Sequence, residues 1–169
     1  TGDLGLAVLL NSYRLERNTA AAFLEWGHAW PLGLESTLAG RLDHTEGESR
    51  ASGKFGLARP FQAVDGSLWA SIADGFKLPS FFALGNPLFG NPDLAPEKVT
   101  SLEAGYDQHV GDSTEAGISL FASGYEDLVD FDFETFTNIN RGRVDISGVF
   151  LYLRMQIGPS LQLGADATL

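Results

Sequence analysis

Leu34-Glu35-Ser36-Thr37-Leu38-Ala39-Gly40-Arg41-Leu42-Asp43 alternates in character along ten residues. In an extended chain, successive side chains point to opposite faces. Leu34, Ser36, Leu38, Gly40 and Leu42 therefore share one face, and Glu35, Thr37, Ala39, Arg41 and Asp43 share the other. This is a strand with one apolar face. The same split recurs where Leu102, Ala104 and Tyr106 oppose Ser101, Glu103, Gly105 and Asp107. It recurs again where Val149, Leu151, Leu153 and Met155 oppose Phe150, Tyr152 and Arg154, and more weakly where Ile118, Leu120 and Ala122 oppose Ser119, Phe121 and Ser123. The 20 glycines, many inside these runs, disfavour helix and suit strands that bend or approach one another closely.

The connections order the strands. The seven prolines fall at strand ends or between strands, four of them in one stretch as Pro79, Pro87, Pro92 and Pro96. Short turns at Pro31–Gly33, Ala63–Gly66, Gly111–Ser113 and Gly158–Ser160 alternate with longer polar stretches at Asn11–Asn18, His44–Arg50, Phe76–Lys98 and Asp132–Phe136. Tight turns at one end and long loops at the other predict an all-β, antiparallel up-and-down meander of about nine strands, forming part of a transmembrane β-barrel. Its edges would be Leu4–Leu10 and Leu161–Leu169, with the leucine-bearing faces turned to lipid and Glu103, Asp107 and Arg154 turned to the lumen. Trp26, Trp30, Phe61 and Trp69 lie beside the short turns, where they either form an interfacial girdle or fill the core of a sheet.

Composition removes several classes. The chain has 169 residues, with 22 Asp and Glu against 11 Lys and Arg and a formal charge of −11, so nucleic acid is not an expected partner. There is no cysteine, which excludes disulfides, thiolate metal sites and a thiol nucleophile. The opening residues carry no secretory signal pattern, and apolar runs such as Leu4–Leu10 and Thr19–Leu24 fall short of the roughly 20 residues a spanning helix requires. Alternating strands cross a bilayer with about 9 to 11 residues each, which agrees with a mean hydropathy of −0.01.

Three stretches together resemble the later barrel strands of TonB-dependent outer-membrane receptors. The first runs from Trp69 to Leu84 and carries Gly75-Phe76-Lys77-Leu78-Pro79-Ser80. The second, Gly90-Asn91-Pro92-Asp93-Leu94-Ala95-Pro96-Glu97 with the strand to Tyr106, is the most specific. The third runs from Ala122 to Asp130 and from Asn138 through Arg141 to Gly148-Val149. The resemblance covers about residues 52 to 169 and is looser before them. It implies a partial receptor barrel over 1–169, lacking the plug domain and the final strands. It further implies bacterial outer-membrane location and energy-coupled uptake of a ferric siderophore, cobalamin or similar scarce nutrient. The implied partners are outer-membrane lipid, a small-molecule metal chelate, and the TonB energy-coupling protein, reached through the plug. Phe150 and Tyr152 stand where the family usually places acidic lumen residues. The alternatives are a complete small outer-membrane barrel with a structural or adhesive role, and a soluble lipocalin-like binding barrel.

No catalytic motif is present: there is no nucleophile elbow, phosphate loop or dinucleotide fingerprint, and neither enzyme activity nor a cofactor is expected. His28, His44 and His109 are far apart and no metal site is expected from them. The acidic residues Glu126, Asp127, Asp130, Asp132 and Glu134 read as a solvated strand end, and Arg141, Arg143 and Arg154 as partners of acidic neighbours on adjacent strands. The candidate ligand contacts are in Phe76–Lys98. Four prolines preorganise this segment and its rings offer planar apolar surface, so Phe81, Phe82 and Phe89, with Lys77 and Asn86 as polar contacts, are expected to form part of a substrate mouth. The alternative expectation is a loop folded over the rim for structural reasons.

Overall fold

The computed structural model describes residues 13 to 169. Eight strands follow one another: β1 (Thr19–Ala29), β2 (Glu35–Thr45), β3 (Glu48–Phe61), β4 (Gly66–Lys77), β5 (Glu97–Val110), β6 (Thr114–Asp132), β7 (Thr137–Ile157) and β8 (Leu161–Thr168). They form one sheet in the order of the sequence, every neighbouring pair antiparallel. This is the expected meander. The strand expected at Leu4–Leu10 lies outside the described residues.

Register fixes the two faces. Phe55, Ile72, Leu102, Ala122 and Ser147 form one continuous row across β3 to β7, and Arg59, Leu68, Tyr106, Ile118, Leu151 and Ala167 form another. On the opposite face Ser71, Glu103, Phe121 and Gly148 align, as do Ser67, Asp107, Gly117, Tyr152 and Asp166. The leucine face is bare: Leu38, Leu102 and Leu120 are 54%, 56% and 57% exposed, and Ala83 and Leu94 are the buried hydrophobic residues among those described. An apolar band this wide needs an apolar surround, as the outward face of a membrane barrel has.

The polar face is held by aromatic rings lying over glycines directly opposite. Trp69 covers Gly105, Tyr152 covers Gly117, and Phe121 covers Gly148. A Cβ at Gly105 would stand 2.6 Å from the Trp69 ring, and one at Gly148 would stand 2.7 Å from Phe121, so larger residues cannot occupy these sites without displacing the rings. Trp69 is thus a lumen residue rather than part of an outer girdle, and its indole N–H donates to Asp107 at 2.7 Å. At the turn end Trp26 stacks on His28, which meets Trp30 edge to face.

Two of the long loops expected from the sequence are tight turns instead. Glu46 and Gly47 alone join β2 to β3, with φ of 53° and 89°. Consecutive positive φ values mark the two-residue turn whose twist matches that of the flanking strands. Asp132–Phe136 closes with four residues between β6 and β7, because those strands continue to 19 and 21 residues. Crossing a bilayer takes about 9 to 11, so roughly half of this hairpin projects beyond it. The segment from Leu78 to Pro96 is the one long connection between described strands, and it contains the short helix α1 (Phe81–Gly85).

Candidate functional site

The outward face changes character abruptly towards the loop end. Ile72, Leu102 and Ala122 give way on the same face to Asp74, Lys98, Glu126, Arg143 and Asp145. This step marks the upper edge of the apolar band. Beyond it the basic residues are paired: Lys77 to Glu97 at 3.0 Å, Lys98 to Asp127 at 3.6 Å, Arg141 to Asp130 at 3.0 Å and Arg143 to Asp145 at 2.8 Å. Arg154, at the other end, pairs with Glu115 at 3.5 Å. The expected pairing of Arg141, Arg143 and Arg154 with acidic neighbours is therefore what the chain does.

The long connection folds across the inner side of the β6–β7 hairpin and is bonded there. Ser80 caps α1 by accepting from the Ala83 amide at 3.1 Å. Asn138, a buried polar residue of β7, donates its backbone N–H to the Phe89 carbonyl at 2.9 Å and its side-chain amide to the Ala83 carbonyl at 3.3 Å. Asn91 returns a bond to the Asn138 carbonyl at 2.9 Å. Asn140 accepts from the Ala95 amide at 2.8 Å and donates to the Ala95 carbonyl at 3.0 Å. The second and third sequence motifs therefore meet in space. Their asparagines supply backbone groups of an irregular segment with the partners that a strand would otherwise provide.

Two of the five candidate contacts are engaged within the chain. Lys77 Nζ lies on Glu97, and the other Glu97 carboxylate oxygen accepts the Val129 amide at 3.1 Å. Asn86 Oδ1 accepts the Leu88 amide at 2.9 Å and so holds the turn after α1. The rings divide. Phe81 is half exposed beneath the Arg17 guanidinium, 5.0 Å from its centroid. Phe82 meets Phe89 edge to face at 5.3 Å, and Phe89 meets Phe131 at 5.8 Å. Phe131 in turn contacts Phe133 at 5.0 Å and Phe136 at 5.3 Å. The loop rings and the hairpin rings form one aromatic cluster. Sequence reasoning missed Phe131, Phe133 and Phe136, because the whole of β5 and most of β6 separate them from the loop and no local pattern connects them.

At the hairpin tip the Thr135 hydroxyl and the amides of Glu134 and Thr135 hold the Asp132 carboxyl below its ordinary value, and Arg141 does the same for Asp130. Both stay ionised under mildly acid conditions.

An eight-stranded meander with an apolar outside, a polar inside, tight turns at one end and projecting hairpins at the other defines a section of outer-membrane barrel wall. The sequence matches the TonB dependent receptor-like beta-barrel family over residues 2–168, and the chain belongs to that family. Its members are transporters of the bacterial outer membrane rather than enzymes, and the outer membrane is where this chain is located. Among solved structures it is similar to the siderophore receptor PirA from Pseudomonas aeruginosa, with a TM-score of 0.77, 19% identity, and coverage of 90% of this chain and 31% of that one. It is similar to the copper transporter OprC, with a TM-score of 0.74, 18% identity, and coverage of 89% and 27%. It is also similar to a variant of the ferric enterobactin receptor PfeA from Pseudomonas aeruginosa, with a TM-score of 0.72, 18% identity, and coverage of 90% and 26%. The chain spans under a third of the length of each.

Proposed function

We propose that this chain forms part of the wall and mouth of a receptor that takes up a scarce small-molecule nutrient, such as a metal chelate, with energy delivered by the TonB coupling protein through a plug. The observation that carries this reading is the family match along nearly the whole chain. The loop end adds local support: a segment cross-linked by Asn91, Asn138 and Asn140 presents rings rigidly, which lowers the ordering cost of binding. Phe81 and Phe82 are the ligand-facing rings in this reading, Phe89 supports Phe82, and Lys77 and Asn86 hold the loop that carries them. Outer-membrane lipid covers the leucine face.

Cells starved of metal and carrying the full-length protein test it. Accumulation of labelled chelate is expected to fall to background both when the protein is deleted and when the TonB coupling protein is removed. Uptake that persists without TonB would overturn the coupling, and no loss on deletion of the protein would overturn the transport reading.

A further inference from the structure

We propose that the hairpin tip and the loop together form a ledge for a cationic, ring-bearing small molecule. This rests on the receptor reading above for its orientation to the outside. Phe133, Phe136, Phe82 and Leu88 are 81%, 65%, 57% and 63% exposed, at the projecting end and away from the apolar band. Phe131 ties them together, because Phe89, Phe133 and Phe136 each meet it edge to face, at interplanar angles of 90°, 83° and 79°. An edge-to-face pair engages at most one face of either ring, so Phe133 and Phe136 each keep a flat, electron-rich face free of Phe131, and such a face attracts a cation.

Turn chemistry does not account for these rings. A four-residue connection is served by Gly, Asn, Asp or Ser, yet this one is Phe133-Glu134-Thr135-Phe136, and Phe136 holds φ at 57°, a region that bulky residues seldom enter. Exposed aromatics held in an unfavourable conformation suit contact with something other than water.

Charge chooses the occupant. Most of the lysines and arginines near the loop end are paired: Lys77, Lys98, Arg141 and Arg143 sit on carboxylates, while Arg17 lies over Phe81 and donates to the Pro79 carbonyl, with no carboxylate partner among the described residues. Asp93, Asp132 and Glu134 have no salt-bridge partner among the described residues. An anionic chelate would meet these three carboxylates against Arg17 alone, whereas a cationic ring system would meet aromatic faces and carboxylates together.

The test is equilibrium dialysis of the full-length protein in non-ionic detergent against two probes of the same shape, tetraphenylphosphonium and tetraphenylborate, with protein-free micelles as the blank. The cation is expected to bind at least tenfold more tightly than the anion. Phe133→Ala should weaken cation binding at least fivefold, and Glu134→Gln should narrow the preference. Both residues are exposed, so the thermal unfolding of both variants should match the parent. Equal binding of the two probes, tighter binding of the anion, or unchanged cation binding in Phe133→Ala would overturn the ledge. Dialysis needs no TonB, so it reads the ledge even if uptake fails, and uptake of an anionic chelate alongside failed dialysis would leave the receptor reading standing.

Discussion

Asn138 shows how one side chain can settle the shape of a nineteen-residue connection. It is 9% exposed, and three of its four polar groups have partners: its side-chain N–H donates to the Ala83 carbonyl, its backbone N–H to the Phe89 carbonyl, and its backbone carbonyl accepts from the Asn91 side chain. Replacing it by alanine keeps the backbone bonds, and the Ala83 carbonyl keeps the Asn91 backbone N–H at 2.8 Å, so the loss is one hydrogen bond between the hairpin and the loop. One such hydrogen bond contributes about 0.5 to 1.5 kcal/mol net. Asn138→Ala is therefore expected to lower the thermal stability of the loop end by about that amount and to speed protease cleavage within residues 78–96. Unchanged cleavage would show that the backbone bonds of residue 138 and the Asn140 pair hold the segment without the Asn138 side chain. An aspartate at this position is worse still, since its carboxylate oxygen would face the Ala83 carbonyl oxygen. The glycines beneath the lumen rings make a related point by close approach. Gly105 is where it is because Trp69, itself fixed by Asp107, occupies the space a side chain would need.

At the scale of the element, the β6–β7 hairpin joins what was legible in the sequence to what was not. Alternation announced its membrane half, since Ile118, Leu120 and Ala122 and then Val149, Leu151 and Leu153 follow period 2. Its projecting half was harder to see, because outside the bilayer both faces turn polar or mixed and the contrast that reveals a strand vanishes; the acidic residues from Glu126 to Glu134 read only as a solvated strand end for that reason. His44–Arg50 was misread the same way. Its polar residues are strand ends that happen to stand in water, and the Glu46-Gly47 turn lacks the asparagine or aspartate that usually announces such a bend. The candidate site was half visible: the loop rings were found from local composition, whereas their partners on the hairpin came only with the pairing of distant strands. The hairpin tip also carries a pH dependence. Asp130 and Asp132 have folded values lowered by Arg141 and by the Thr135 hydroxyl respectively. Such groups stabilise the fold at pH above the ordinary carboxylate value of about 4 and lose that contribution as pH falls through the lower folded value. Hydrogen exchange at residues 131–137 is thus expected to be flat from pH 7 to about pH 5, after correction for intrinsic rates, and to accelerate below about pH 4. Protection independent of pH would show that the ring cluster alone holds the tip.

For the whole molecule the governing fact is that a sheet of eight strands has two edges. Neighbours inside it are paired along their length, but β8 offers one side of Leu161–Thr168 to no described strand, and the outer side of β1 is likewise unpaired among the described residues. In water such edges recruit other chains, and in hydrocarbon each unsatisfied N–H or C=O costs several kcal/mol, which is why spanning sheets close. Closure on itself would require β1 to meet β8. Eight strands can close into a narrow barrel whose interior is just filled by side chains. This lumen face is unsuited to that, because Trp69, Phe121 and Tyr152 already stand over glycines across adjacent strands, and the loop from Leu78 to Pro96 folds to the same side. Such a wall fits a wide barrel, where further strands occupy both edges. The 169 residues taken alone into detergent are therefore expected to give mixed oligomers that unfold on mild heating, as read by size-exclusion light scattering and by mobility on gels with and without boiling. A single monomeric species resistant to heat would mean that β1 and β8 meet, and the chain would then be a small barrel in its own right. The same two edges make a sharper comparison available. Joining this segment to the flanking strands of the full-length protein should restore heat resistance in one step, because closing a sheet satisfies both edges together and a partial extension satisfies neither.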